Sequence, residues 1–247
     1  GVVSTMLIRA YNKRAHGGTL ADPTGEITWK RAIDMFVDDA YLFHILQMLM
    51  GARRLMQNIS HDIALGAKLL WASGGAINLQ KSFYSILIWK FTPDGHAYLL
   101  KNTELPSNTV KVPNPGDETK HRTIKRVCVS EASKTLGVMK AADLTQTAEY
   151  KNLRKKTYTF TKALAACPMS HYHAWLGYMT VYVPGVTYSF PTTSLTEKQC
   201  IALQTIFKAT LLQKMGLPPT LPLEIVYGDK YFGGIGLLIL FAEQGMQ

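Results

Sequence analysis

Two groups of side chains in this sequence have the types and spacing to do chemistry. The first is the vicinal pair Asp38-Asp39, at the end of the apolar stretch that closes on Phe36-Val37 and just before Ala40-Tyr41-Leu42-Phe43. Two carboxylates held a few ångströms apart repel each other unless a cation neutralises them. Hard oxygen ligands of this kind suit Mg²⁺ or Mn²⁺. An isolated Asp-Asp more often caps a turn. The second group is a run of cations, Lys151, Arg154, Lys155 and Lys162 with Tyr158 among them. On a helix, Lys151, Lys155, Tyr158 and Lys162 share one face, opposite Leu153, Thr157, Phe160, Leu164 and Cys167. Cations at that spacing can follow a line of phosphates and release the counterions condensed there. A solvated basic face usually intersperses acids for pairing along the helix, and here Glu149 is the only acid nearby.

The elements that must position these groups follow from turn residues and periodicity. Residues 33–43 read as a hairpin with the Asp pair at its tip. Residues 1–32 read as short strands broken at Gly17-Gly18, Asp22-Pro23 and Gly25. From Leu46 to Trp71, Met56, Ile59, Ile63, Ala67 and Leu70 recur at three- and four-residue steps, predicting an amphipathic helix that Gly74-Gly75 ends. Ile77–Leu79 and Ser82–Lys101 read as strands with a hairpin turn at Pro93-Asp94-Gly95, and Asn78 as a turn former. Residues 102–120 carry three prolines and read as a long loop. A short strand over Thr123–Val129 then leads into helices. Asp143 with Gln146 predicts a capping box for a helix running to Pro168, and Ser194 with Glu197 another for a helix stopping at Gly216. A further helix is expected over His171–Tyr182, ending before Pro184.

Composition narrows the function classes. The 247 residues are 47% apolar, enough for a substantial core, and the formal charge is +10. Residues 120–162 hold eleven Lys/Arg against three acids, a surplus of +8, as expected of a surface that binds a polyanion. No apolar run approaches the roughly 18 residues of a membrane span, so no membrane partner is expected. Cys128, Cys167 and Cys200 match no metal-ligand spacing and read as reduced, mostly buried thiols of an intracellular protein. His171-Tyr172-His173 lacks partner ligands and reads as a helix N-terminus or its packing face. Gly233-Gly234-Ile235-Gly236 lacks the Lys-Ser/Thr of a phosphate-cradling loop and reads as tight packing.

Phe36-Val37-Asp38-Asp39 resembles the aromatic-x-Asp-Asp box of reverse transcriptases, and the order of later segments resembles theirs too. Gly74-Gly75-Ala76-Ile77-Asn78-Leu79-Gln80-Lys81-Ser82 is similar to the next palm motif, and Phe83 to Lys90 to the hairpin that grips the primer end. Lys134-Thr135-Leu136-Gly137-Val138 and Gly233-Gly234-Ile235-Gly236-Leu237 resemble landmarks beyond the palm in LINE-type retroelements. The resemblance to non-LTR reverse transcriptases runs from about Ile33 to near the C-terminus.

That resemblance implies an α+β fold: a partial polymerase palm of antiparallel hairpins plus one long helix, then a mostly helical thumb-like region. It assigns 1–105 to the C-terminal part of the palm, 106–120 to a linker loop and 121–247 to the thumb-like region. It implies RNA-directed DNA synthesis by two-metal nucleotidyl transfer, with an RNA template, a DNA primer and product, and dNTP as partners. Two ions sit about 3.5–4 Å apart in such sites. Asp38 and Asp39 would hold Mg²⁺ (or Mn²⁺) and Lys81 would lie near the triphosphate. Phe83, Tyr84 and Trp89 would grip the primer, and Lys151, Arg154, Lys155, Tyr158 and Lys162 would hold the duplex. A solvated Lys81, and aromatics at 83, 84 and 89 that serve as core, remain the plainer alternatives. A third palm carboxylate is required, and Asp22, Glu26 and Asp34 are not placed to supply it. The chain, which begins at Gly1 without Met, is therefore expected to be a fragment inactive alone, lacking the N-terminal fingers and palm of its polyprotein. Its place would be the nucleus or cytoplasm. A non-catalytic nucleic-acid-binding remnant is the alternative, and an assembly domain using the apolar C-terminal segment is a third.

Overall fold

The computed structural model describes residues 2–36, 39–42, 44–45, 52–105, 109–114 and 117–246. It mixes α and β structure, with two-stranded sheets that are antiparallel in all but one case among the described residues. The chain divides into two compact units, Gly1–Cys128 and Val129–Gln247.

The first unit opens with a helix, α1 (Val2–Arg14), where turn-broken strands were expected. Its β-branched Val2, Val3, Thr5 and Ile8 favour helix weakly, so local propensity did not disclose it. Tertiary burial decides: Tyr11 and Ala15 pack with Ala32 in a small core that Ile33, Leu65 and Leu69 border. Strands β1 (Gly18–Ala21) and β2 (Thr28–Arg31) form a hairpin. Next, β3 (Ile33–Phe36) runs antiparallel to β4 (Asp39–Leu42), pairing Ile33 with Leu42 and Phe36 with Asp39. Residues 37 and 38 lie between these strands, outside the described residues.

Helix α2 (Ala52–Ala72) buries the expected stripe, with Met56, Ile63 and Ala67 in one core with Ile86, Leu100, Val110, Val112 and Ile124. It ends as the glycines predicted. Gly74 has φ +83°, its amide donates to the Trp71 carbonyl, and the Gly75 amide donates to that of Leu70 at 2.8 Å. These bonds satisfy carbonyls that the last turn leaves open. Strand β5 (Phe83–Tyr84) follows, then the hairpin of β6 (Trp89–Phe91) and β7 (Ala97–Leu99), whose turn closes where Pro93-Asp94-Gly95 placed it.

The linker expected over 106–120 is not a loop throughout. Strand β8 (Lys111–Asn114) pairs with β9 (Asp117–Thr123) and lies against α2. The short β10 (Lys125–Arg126) then pairs in parallel with β5. Val110 and Val112 anchor this stretch in the core, and Pro113 lies within β8; Pro106 and Pro115 lie outside the described residues. The division falls after Cys128.

The second unit starts with the hairpin of β11 (Ser133–Thr135) and β12 (Val138–Lys140). Helix α3 (Thr147–Ala166) follows, then α4 (His171–Gly177), α5 (Val183–Thr187), α6 (Glu197–Lys214), α7 (Leu223–Tyr227) and α8 (Leu240–Met246). Helix α3 packs on α6 around Leu153, Leu164, Tyr178, Tyr182, Phe207 and Leu211. Both predicted capping boxes shift. Gln146 is itself the N-cap of α3, and the Asp143 carboxylate instead accepts from the Thr145 amide at 3.0 Å, a local turn competing with the cap. Helix α6 starts two residues later than expected, capped reciprocally by Thr196 and Gln199. Pro184 does not stop the preceding helix. A wide π-turn over Tyr178–Tyr182 joins α4 to α5, and proline, lacking an N–H, is tolerated in the first turn of α5.

Candidate functional site

The β3–β4 hairpin carries the predicted Asp pair. Asp39 opens β4 opposite Phe36; Asp38 and the Asp39 carboxylate lie outside the described residues. Lys81 is exposed in a turn, its amide and that of Ser82 donating to the Asn78 carbonyl. The Asn78 side chain accepts from the Gln80 amide at 3.2 Å, so Asn78 does shape this turn. Of the three aromatics assigned to the primer grip, with a place in the core as the plainer alternative, only Tyr84 packs against a core. Phe83 is exposed, Trp89 is 55% exposed and Phe91 71%, whereas Tyr84 packs against the α2 core. The strands are only two and three residues long.

In the second unit, Lys151, Arg154, Lys155, Tyr158, Thr159 and Lys162 line an open groove of about 410 Å³ on α3. The opposite face is buried at Leu153, Thr157 and Leu164, which fixes the rotation of the helix. Cys167, expected on that buried face, is exposed because the helix has already ended. The Arg154 guanidinium lies 5.8 Å from the Tyr150 ring centroid and 5.9 Å from that of Tyr158, so stacking on aromatic faces fixes its place. Glu149, the one acid expected to temper these cations, is fully buried. Its Oε2 accepts from the Met139 amide at 2.7 Å and from Asn152 Nδ2 at 3.0 Å. No acidic side chain lines the groove among the described residues. Lys156 Nζ donates to the Gly185 carbonyl and stands apart from the stripe.

A third constellation was not anticipated. Asp62, on α2, is fully buried and receives five donors. Its Oδ2 accepts from the His16 amide at 2.7 Å, the Gly17 amide at 3.2 Å and His44 Nε2 at 2.8 Å. Its Oδ1 accepts from His16 Nδ1 at 2.8 Å and His61 Nδ1 at 3.1 Å. Burial alone would raise the carboxyl's pKa. The hydrogen bonds from His44, His16, His61 and the Gly17 amide reverse that and hold it well below the usual carboxylate range. One signal could have exposed it: Asp62 falls three residues after Ile59 and four before Gly66, on the side of α2 that turns inward.

The remaining motifs behave structurally. Ser170 caps α4, accepting from the His173 amide, so His171-Tyr172-His173 is a helix N-terminus. Around Gly233–Gly236 the packing is tight: a Cβ added at Gly234 would lie 2.1 Å from the Gly228 carbonyl oxygen. Cys128 is half-buried and Cys200 buried, and no disulfide forms among the described residues. No described helix is long and apolar enough to cross a membrane. No protein-family model, curated protein or solved structure matches this chain.

Proposed function

We propose that this chain is part of an RNA-directed DNA polymerase of the non-LTR type, with palm-derived structure in the first unit and a thumb-like duplex-holding unit in the second. The observation that carries the reading is the acid-free cationic face of α3, a surface suited to phosphates that reads shape and not sequence. The β3–β4 register supports the catalytic half, because it pairs Phe36 with Asp39 where the two strands meet, and vicinal carboxylates near a hairpin end are hard oxygen donors suited to one ion. A divalent ion bound there would polarise the primer hydroxyl and offset triphosphate charge. Lys81, exposed in its turn, offers a compact charge for the pyrophosphate. Arg154 and Tyr158 give the duplex a rigid, partly aromatic contact, and the three lysines supply mobile phosphate partners.

Salt-dependent binding of an RNA–DNA hybrid, followed by fluorescence anisotropy, tests the duplex half. Replacing Lys151, Lys155 and Lys162 together by Ala is expected to lower the slope of log affinity against log salt by about 3, one unit per lost phosphate contact. An unchanged slope would end the thumb reading. For the catalytic half, primer extension by the full-length gene product should vanish on Asp38→Ala or Asp39→Ala. Activity retained in both variants would take catalysis away from this pair, and no extension by the unmutated product would leave only a nucleic-acid-binding remnant. That second reading is favoured by the same α3 face, which needs no carboxylate to work.

A further inference from the structure

We infer that His16, His61 and Asp62 form a binding site for a borderline divalent transition metal such as Zn²⁺, with His44 as the orienting partner of the carboxylate. This site is separate from the proposed polymerase chemistry and does not rest on it.

The donor atoms of the three side chains lie within 4.8 Å of one another. Asp62 Oδ1 is 2.8 Å from His16 Nδ1 and 3.1 Å from His61 Nδ1. Ligands of a tetrahedral zinc ion, bonded at 2.0–2.2 Å, stand roughly 3.3 Å apart, so these two carboxylate–imidazole separations are a few tenths of an ångström short of that spacing. An ionised carboxylate only accepts hydrogen bonds, so the two imidazole nitrogens facing Oδ1 both carry protons. Two N–H groups converging on a single oxygen are what one dication replaces. Each ring then moves its proton to Nε2, and no net proton need be released. Both rings have room to make that change, because the His16 side chain is 44% and the His61 side chain 58% exposed.

The rest of the cluster is already fixed. Asp62 Oδ2 is held by the His16 and Gly17 amides and by His44 Nε2, whose side chain is only 5% exposed. A carboxylate pinned through one oxygen, with the other aimed at two imidazoles, has the outer-shell support that metal sites carry. Nitrogen donors select zinc, cobalt or nickel over Mg²⁺. With three protein ligands and two half-exposed rings, a fourth position stays open to solvent. His61 also borders a cleft of about 400 Å³ that Lys68, Lys111 and His121 help line, through which a small anion could reach it.

Isothermal titration of the full chain with Zn²⁺, repeated with Co²⁺ under visible absorption, tests this. One saturable Zn²⁺ site per chain is expected, undisturbed by excess Mg²⁺, with the d–d bands of low-coordinate cobalt. Asp62→Asn disturbs five hydrogen bonds and is unsuited as the sole variant. His61→Ala, which removes a largely exposed ring, and His16→Gln are therefore used, with circular dichroism to verify the fold. Each is expected to weaken Zn²⁺ binding about 100-fold, the upper end of what losing even an outer-shell partner does. His96→Ala, in the β6–β7 turn, should change nothing. Absence of saturable binding, or an affinity unaltered in both His16→Gln and His61→Ala, would overturn the site.

Discussion

Asp62 in the first unit and Glu149 in the second are both buried carboxylates on long helices, yet they are solved in opposite ways. Asp62 gathers donors from two distant stretches, the chain after α1 and His44, and from its neighbour His61 on α2. Both its oxygens are occupied. Glu149 satisfies one oxygen with partners from β12 and its own helix, and leaves Oε1 buried without a partner. Its place in the first turn of α3 lets the helix dipole carry part of its charge. The contrast separates two uses of a buried acid. Asp62 is a hub that ties the first unit together and presents imidazoles outward. Glu149 is a local tether, and its burial leaves the groove on α3 purely cationic.

Breaking the hub should have the larger effect. Asp62→Ala strands the His16 and Gly17 amides and the buried His44 ring together, and at about 1–3 kcal/mol for each buried unmatched group the loss should exceed about 3 kcal/mol. Urea denaturation of the metal-free chain measures it. The pH dependence has a defined sign. The folded-state pKa of Asp62 is depressed, so its contribution is fully present above the unfolded carboxyl value of about 3.9. It is lost as pH falls below that value toward the folded one. The wild-type midpoint should therefore drop in acid more steeply than that of Asp62→Ala. Parallel pH profiles would show that the carboxylate is not the hub.

The tether is weaker and should be separable from binding. Glu149→Gln keeps an acceptor for the Met139 amide but gives up the charge at the helix start, a loss of about 0.3–1 kcal/mol. Its duplex affinity and salt slope should match the wild type, because Glu149 is not on the groove. Thr159→Glu, which places an acid among the groove residues, should weaken binding without a matching loss of stability. If Glu149→Gln instead strengthened binding, the buried acid would be acting on the groove through its field, and the division between tether and surface would fail.

What could be read beforehand follows the reach of the signals. The stripe Met56–Ile63–Ala67, the Gly74 stop, the turn at residues 93–95 and the two faces of α3 are written within a few residues of one another. The α3 cations were legible for that reason. Partners of Asp62 are 46 and 18 residues away in sequence, and no local pattern joins them. For Phe83 and Trp89 core was the plainer alternative to a primer grip, because strand aromatics usually are core, but which side of a short strand is covered depends on neighbours the alternation does not name. Helix α1 was hidden by β-branched residues whose weak preference burial overrode. Pro184 misled because its missing N–H was absorbed by widening the turn before it.

A last effect, of the same small size as the tether's, lies in the hairpin that Glu149 tethers. Leu136 and Gly137 join β11 to β12 with φ of +48° and +85°, the left-handed pair of a type I′ turn. Leucine is poorly suited to that conformation; asparagine tolerates it. Tyr188 holds the turn by donating its hydroxyl to the Leu136 carbonyl at 2.9 Å, a bond that survives a side-chain change. Leu136→Asn should therefore stabilise the second unit by about 0.5–1 kcal/mol, measured as a shift in urea midpoint. Combined with Glu149→Gln, the two effects should add within about 0.5 kcal/mol if turn and tether act separately. A larger gain from Leu136→Asn in the Glu149→Gln background would mean that Glu149 is what holds the unfavourable turn in place. In that case the tether, like the hub, stores order in a segment that does not choose its conformation alone.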